Sequence, residues 1–147
     1  MSVTEISLGN LRVAQMLPDV DLAPAGGGSP VQLRPVRSET TVILLPHAFK
    51  CAACERYAME LDALAAEFRA WDARLLVIAA APDDWLQRLS FAKAAIHERD
   101  TASEAAVLVA DRYGQVFHIT RPGKEHAFPS PPEIVEWLKY LGTLCPE

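Results

Sequence analysis

The 147-residue chain carries 19 acidic and 14 basic side chains, a formal net charge of −5, with 50% hydrophobic and 22% charged residues. That mixture suits one domain with a real core and excludes disorder. It offers no electrostatic footprint for nucleic acid. The longest apolar stretch, residues 75–82, is far below the roughly 18 residues that cross a bilayer. Residues 1–5 lack the basic start and apolar run of a signal peptide. A single domain over residues 1–147 is expected, soluble and cytoplasmic, with neither nucleic acid nor membrane as partner.

The first 40 residues form an irregular extension with Pro18, Pro24, Pro30 and Pro35, a density that excludes a helix. Two short apolar pieces, residues 19–22 and 31–33, flank a glycine run and predict a small hairpin. Residues 41–45 (Thr-Val-Ile-Leu-Leu) and 74–80 (Arg-Leu-Leu-Val-Ile-Ala-Ala) do not alternate, as expected of strands covered on both faces. Between them, Tyr57, Leu61, Leu64, Ala65 and Phe68 recur at helical spacing and predict one helix over residues 51–71. Asp83 and Asp84 can cap a second helix running to about Glu98, with Trp85, Leu86, Leu89, Lys93 and Ile96 on one side. Residues 106–110 and 115–119 flank Asp111-Arg-Tyr-Gly114 and read as an antiparallel hairpin. Pro131-Pro132 opens a final helix to about Leu144, striped by Ile134, Trp137, Leu138 and Leu141. The expected order is β-α-β-α-β-β-α behind the extension, with helices over both faces of a central mixed sheet.

Cys51-Ala52-Ala53-Cys54 falls where the first buried strand meets its helix. A helix N-terminus leaves N–H groups unpaired and presents partial positive charge, which stabilises a thiolate, the nucleophilic form of cysteine. Lys50 adds a cation beside Cys51. Three residues are nearly one turn, so Cys54 returns beneath Cys51 at disulfide distance. Cys51 is the expected attacking sulfur and Cys54 the resolving one. His47, four residues before Cys51, is within reach of the thiol's proton, and Phe49 offers an apolar side chain for docking a protein substrate. One CxxC is also half of a zinc site, whose other ligands would come from Cys145, His47, His97, His118 or His126. Each histidine reads first as a surface or locally bonded side chain, so no metal is expected. The breaker-rich loop of residues 121–132 reads as a surface loop that can rim the site.

With this order of elements and this cysteine placement, the chain resembles the thioredoxin-like superfamily. Within it, the likeness is to the redoxin branch, the alkyl hydroperoxide reductase and thiol-specific antioxidant group. The residues that carry the resemblance are Pro18-Asp-Val-Asp-Leu22 with Val31-Gln-Leu33, Val42-Ile-Leu-Leu45 leading into the CxxC, and Val107-Leu-Val-Ala-Asp111-Arg-Tyr-Gly114-Gln-Val116. The resemblance implies an α/β thioredoxin-like fold, a central mixed sheet flanked by helices with an N-terminal β-hairpin extension. It also implies thiol–disulfide exchange with no cofactor beyond a redox-active disulfide. Its partners would be a protein or small-molecule disulfide, or a peroxide, together with a dithiol electron donor; a homodimer fits the family habit. Lys50 stands where thioredoxins carry an aromatic residue. Ala105 and Ala106 stand where the family places a substrate-docking proline, and Ala48 where peroxiredoxins carry threonine or serine. Leu144-Cys145-Pro146 is similar to the resolving-cysteine motif of two-cysteine peroxiredoxins, with a plain free thiol as the alternative. Three functions remain open: a CxxC oxidoreductase, a thiol peroxidase through Cys51, and a redox-sensing or metal-holding module without turnover.

Overall fold

A computed structural model describes residues 8–35, 37–98, 104–123 and 125–144. Strands β1 (Asp21–Pro24), β2 (Val31–Gln32), β3 (Thr40–Leu45), β4 (Ala73–Ala79), β5 (Lys93–Ile96), β6 (Ala106–Ala110) and β7 (Val116–Thr120) form a sheet in the order β2-β1-β5-β4-β3-β6-β7. At its centre β3 runs parallel to β4, Val42 opposite Leu75, and antiparallel to β6, Leu45 opposite Ala106. The predicted hairpins are both present: β1 pairs antiparallel with β2, and β6 with β7. The second is closed by Asp111, whose Oδ1 accepts from the amides of Tyr113 and Gln115, and by Gly114 at φ +90°.

The unalternating runs of β3 and β4 are buried along their whole length. Val42 and Leu44 point into one core with Leu75, Val77, Val107 and Val109, while Ile43 and Leu45 point into another with Leu76, Ile78 and Leu108. Each such side chain contributes about 1.5–3 kcal/mol on burial. Helices α1 (Ala52–Asp62), α2 (Ala65–Ala70) and α3 (Pro131–Gly142) all feed the first core, through Tyr57, Leu61, Phe68, Ile134, Leu138 and Leu141. The second core is closed by Leu8, Leu11, Leu17, Leu22, Val31 and Leu33. The expectation of helices on both faces is thus corrected. Among the described residues the extension covers one face, and the α-helices cover the other.

Two further expectations change. The helix over residues 51–71 is interrupted at Ala63 and Leu64, where the Leu64 amide bonds Leu61 one residue early and Leu64 leaves helical geometry (φ −91°, ψ 24°). The break resets the helical phase so that Phe68 is fully buried against Phe91. The helix expected from Asp83 to Glu98 is a short 3-10 turn, Asp84–Arg88, followed by β5. Asp62 explains the change. Its carboxylate accepts from the amides of Ser90, Phe91 and Ala92 at 2.7–2.9 Å and from the Ser90 hydroxyl at 3.2 Å. Those amides are therefore lost to a helix ladder, and Lys93–Ile96 is held in line to pair with β4 and β1. Burial raises the Asp62 pKa, but the three backbone bonds outweigh it and leave the carboxyl below its ordinary range.

Arg74, also buried, ties the hairpin to the sheet. Its guanidinium donates to Thr41 Oγ1 (2.9 Å), to the Gln32 carbonyl (2.7 Å) and to the Leu33 carbonyl. Burial lowers its pKa. Among the described residues no helix is long and apolar enough to cross a membrane.

Candidate active site

Strand β3 ends at Leu45, and Pro46 forces an exit into the short loop of residues 46–50 that precedes α1. Cys51 is the N-cap of α1, in extended geometry (φ −142°, ψ 106°), and its carbonyl accepts the first helical bond from the Glu55 amide at 3.1 Å. No side chain caps this helix end, so the field of its first-turn amides falls on Cys51. Cys54 is the third helical residue. Helix geometry separates N-cap and N3 Cα atoms by about 5 Å, inside the disulfide range of about 4.4–6.8 Å. Cys51 is half-buried, and Cys54 is 1% exposed.

Each sulfur has its own histidine. The backbone amide of His47 donates to Cys54 Sγ at 3.4 Å, and His47 Nδ1 lies 3.3 Å from the same sulfur. His47 thus contacts the inner sulfur directly, and a donor atom of its ring also lies within 4.8 Å of Cys51 Sγ. Cys51 Sγ lies 3.2 Å from His126 Nε2, a residue 75 positions away. The two imidazoles meet edge to face, centroids 5.1 Å apart at 76°. The sequence reads His126 as a surface or locally bonded side chain; the structure brings its ring to the outer sulfur. Its position depends on the loop of residues 121–130, which α1 holds directly. Tyr57 donates from its hydroxyl to the Pro129 carbonyl at 2.7 Å, and its ring stacks on Phe128 with centroids 4.3 Å apart. Burial, with Glu133 and Glu60 adding to it, raises the Tyr57 pKa, so the phenol remains a donor. His126 itself takes φ +55°, a left-handed conformation that histidine tolerates better than most residues. Its amide bonds the Gly123 carbonyl, and its carbonyl accepts from Phe128 at 2.8 Å.

The other sequence candidates are spread around this pair. Phe49 is 52% exposed and stacks on His47 at 4.7 Å, an apolar shelf beside the sulfurs. Lys50 is exposed. Ala105 and Ala106 are buried at the head of β6, with Ala106 opposite Leu45 at the end of β3 that leads to the site. Cys145 lies outside the described residues. Beside His126, which helps to line it, is a groove of about 470 Å³ bordered by Ala53, Arg56, Glu60 and Glu125 among others. His97 lies elsewhere, after β5, and His118 sits in β7, stacked on Trp137 and bonded to Thr120 Oγ1.

No protein-family model matches the chain, and no curated protein matches it. Solved structures do. A peroxiredoxin-like protein from Aquifex aeolicus superposes with a TM-score of 0.72 at 15% identity, over 89% of this chain and 88% of the other. Peroxiredoxin Q of Xanthomonas campestris gives 0.69 at 19% identity, over 90% of this chain and all (100%) of the other. A candidate protein disulfide isomerase from Bacteroides thetaiotaomicron gives 0.66 at 16% identity, over 90% and 91%. Identity this low establishes shape rather than activity. The strand order and these superpositions agree that the chain has a thioredoxin-like fold.

Proposed function

We propose that the protein is a thiol–disulfide oxidoreductase in which Cys51 attacks and Cys54 resolves. The observation that carries the reading is the outer sulfur at an uncapped helix N-terminus, 3.2 Å from His126, with a second thiol one turn below. The Cys51 thiolate attacks one sulfur of a substrate disulfide, forming a mixed disulfide and expelling the other sulfur as a thiolate. His126 Nε2 is placed to return a proton to that leaving group. Cys54, losing its proton toward His47, then attacks Cys51 Sγ, closes the Cys51–Cys54 bond and releases the second substrate thiolate. The substrate gains two electrons and two protons, and an external dithiol restores the pair. No cofactor beyond the two sulfurs is required. Phe49 on one side and the groove beside His126 on the other suit an extended polypeptide bearing the disulfide. A chain with three cysteines, two of them in a CxxC, fits a reducing, cytoplasmic setting.

Peroxide reduction through Cys51 is the second reading, favoured by the peroxiredoxins among the structural neighbours. Two features weigh against it. Ala48 brings no hydroxyl to the site. The Arg112 guanidinium lies over Tyr113, and that of Arg121 donates to the Leu11 carbonyl at 3.2 Å. Fast peroxide cleavage needs such groups aimed at the departing oxygen. Insulin reduction by dithiothreitol, measured beside hydrogen peroxide consumption, tests the assignment. The expected result is turnover of insulin that Cys51→Ser abolishes, with Cys54→Ser accumulating a mixed disulfide through Cys51. Insulin reduction that survives Cys51→Ser, or peroxide consumption alone, would overturn it.

A further inference from the structure

His47, Cys51 and His126 come from three separate places, the β3–α1 loop, the α1 N-cap and the β7–α3 loop. Yet one donor atom from each lies within 4.8 Å of the others. Two imidazoles and a thiolate, with no carboxylate among them, are the donors of a borderline-soft ion rather than of calcium or magnesium. A tetrahedral zinc ion with bonds of about 2.0–2.3 Å sets its donors about 3.3–3.6 Å apart. The Cys51–His126 contact is already of that size at 3.2 Å, and the longest edge has to shorten by about an ångström. Both histidines lie outside the helices and strands, where rotation of the side chains alone does not have to break a helix or sheet ladder. His47 Nδ1 lies 3.3 Å from Cys54 Sγ, which leaves Nε2 as the nitrogen to bind an ion, with Cys54 as the kind of outer partner that orients metal-bound imidazoles.

We propose that His47, Cys51 and His126 form a zinc site on the reduced chain, with three protein ligands and a fourth position open to water or an incoming thiol. Cys54 stays outside the ligand set and fixes the His47 ring. An ion there takes up the sulfur electron pair with which Cys51 attacks, so the zinc-loaded chain is the protected form and the metal-free chain the reactive one. The binding stands on geometry alone; only the protective consequence rests on Cys51 being the attacking sulfur.

The test uses the full chain, reduced and stripped of metal under nitrogen, and titrates it with Co²⁺ as a spectroscopic probe and then with Zn²⁺ against a chromophoric chelator. One equivalent of Co²⁺ should give the visible bands of tetrahedral coordination with a sulfur-to-cobalt band in the near ultraviolet. Cys51→Ser should remove the sulfur band. His126→Ala and His126→Gln should each weaken Zn²⁺ by more than about 100-fold, and Cys54→Ala by about 10–100-fold, as for loss of an outer partner. His118→Ala, away from the cluster, should bind like the parent. Absence of the sulfur band, or binding indifferent to Cys51→Ser and to both His126 variants, overturns the site. Insulin reduction by the metal-free chain separates the two proposals: turnover without ion binding sinks the zinc site alone, and ion binding without turnover sinks the oxidoreductase and the protective consequence while the site stands.

Discussion

Replacing Tyr57 by phenylalanine isolates the bond that holds the His126 loop against α1. The phenol donates to the Pro129 carbonyl at 2.7 Å, and Pro129 is buried, so the variant strands an acceptor away from water. That costs about 1–3 kcal/mol, and about 1.4 kcal/mol already means tenfold in an equilibrium. The ring remains, and so does its stacking on Phe128 at 4.3 Å; the loss is therefore confined to the hydrogen bond. Amide hydrogen exchange reads the effect directly. The amides of His126, Ala127 and Phe128, bonded to Gly123, Pro122 and His126 respectively, should exchange about tenfold faster in Tyr57→Phe. Those of Val107 and Val109 in β6 should keep their parent rates. Unchanged exchange at residues 126–128, or equal acceleration in β6, would refute the claim that this bond governs the loop rather than the whole domain.

Substituting His126 by alanine in metal-free protein removes the contact to Cys51 Sγ, which as an ordinary net hydrogen bond is worth about 0.5–1.5 kcal/mol. Iodoacetamide modification of Cys51 at neutral pH should slow by about three- to tenfold, read by peptide mass spectrometry; an unchanged rate would remove His126 from the chemistry. Asp62→Ala strips four hydrogen bonds from the segment leading into β5 and should cost about 2–4 kcal/mol in urea unfolding at pH 7. Because the folded carboxyl titrates below its unfolded value, its contribution is complete above about pH 4. It is lost as pH falls through the lower folded value, so parent and variant should converge in acid; a gap that persists there would contradict the carboxylate account. Arg74→Ala leaves Thr41 Oγ1 and the carbonyls of Gln32 and Leu33 without their donor, and about 3–5 kcal/mol of lost stability is expected by chemical denaturation.

The parts of this molecule legible in its sequence are those specified by local pattern. β3, β4 and β6 announce themselves as apolar, β-branched runs, and the CxxC is placed at a helix start by Pro46 before it and the Tyr57–Leu61 spacing after it. The last helix is marked by Ser130, whose hydroxyl accepts from the Glu133 amide, and by the two prolines that follow. What escaped has a long-range cause. Lys93-Ala-Ala-Ile96 has no strand signature, and Trp85, Leu86 and Leu89 fit a helical stripe; the carboxylate that decides otherwise is 28–30 residues earlier. Tertiary contacts override weak local preference in this way. The helices' confinement to one face was hidden because Leu8, Leu11 and Leu17 show no period by which to assign them a layer. His126 escaped for a similar reason. Its signal was a histidine in a loop of glycine and prolines just before a capped helix, which marks a constrained loop but not what the loop faces.

Intact mass and peptide mapping after mild oxidation test the central claim most directly. The account predicts the loss of two hydrogen atoms, located to a bond between Cys51 and Cys54, with both sulfurs alkylatable again after dithiothreitol. Oxidation that leaves Cys54 open to alkylation, or that joins Cys51 to any sulfur but Cys54, would contradict it.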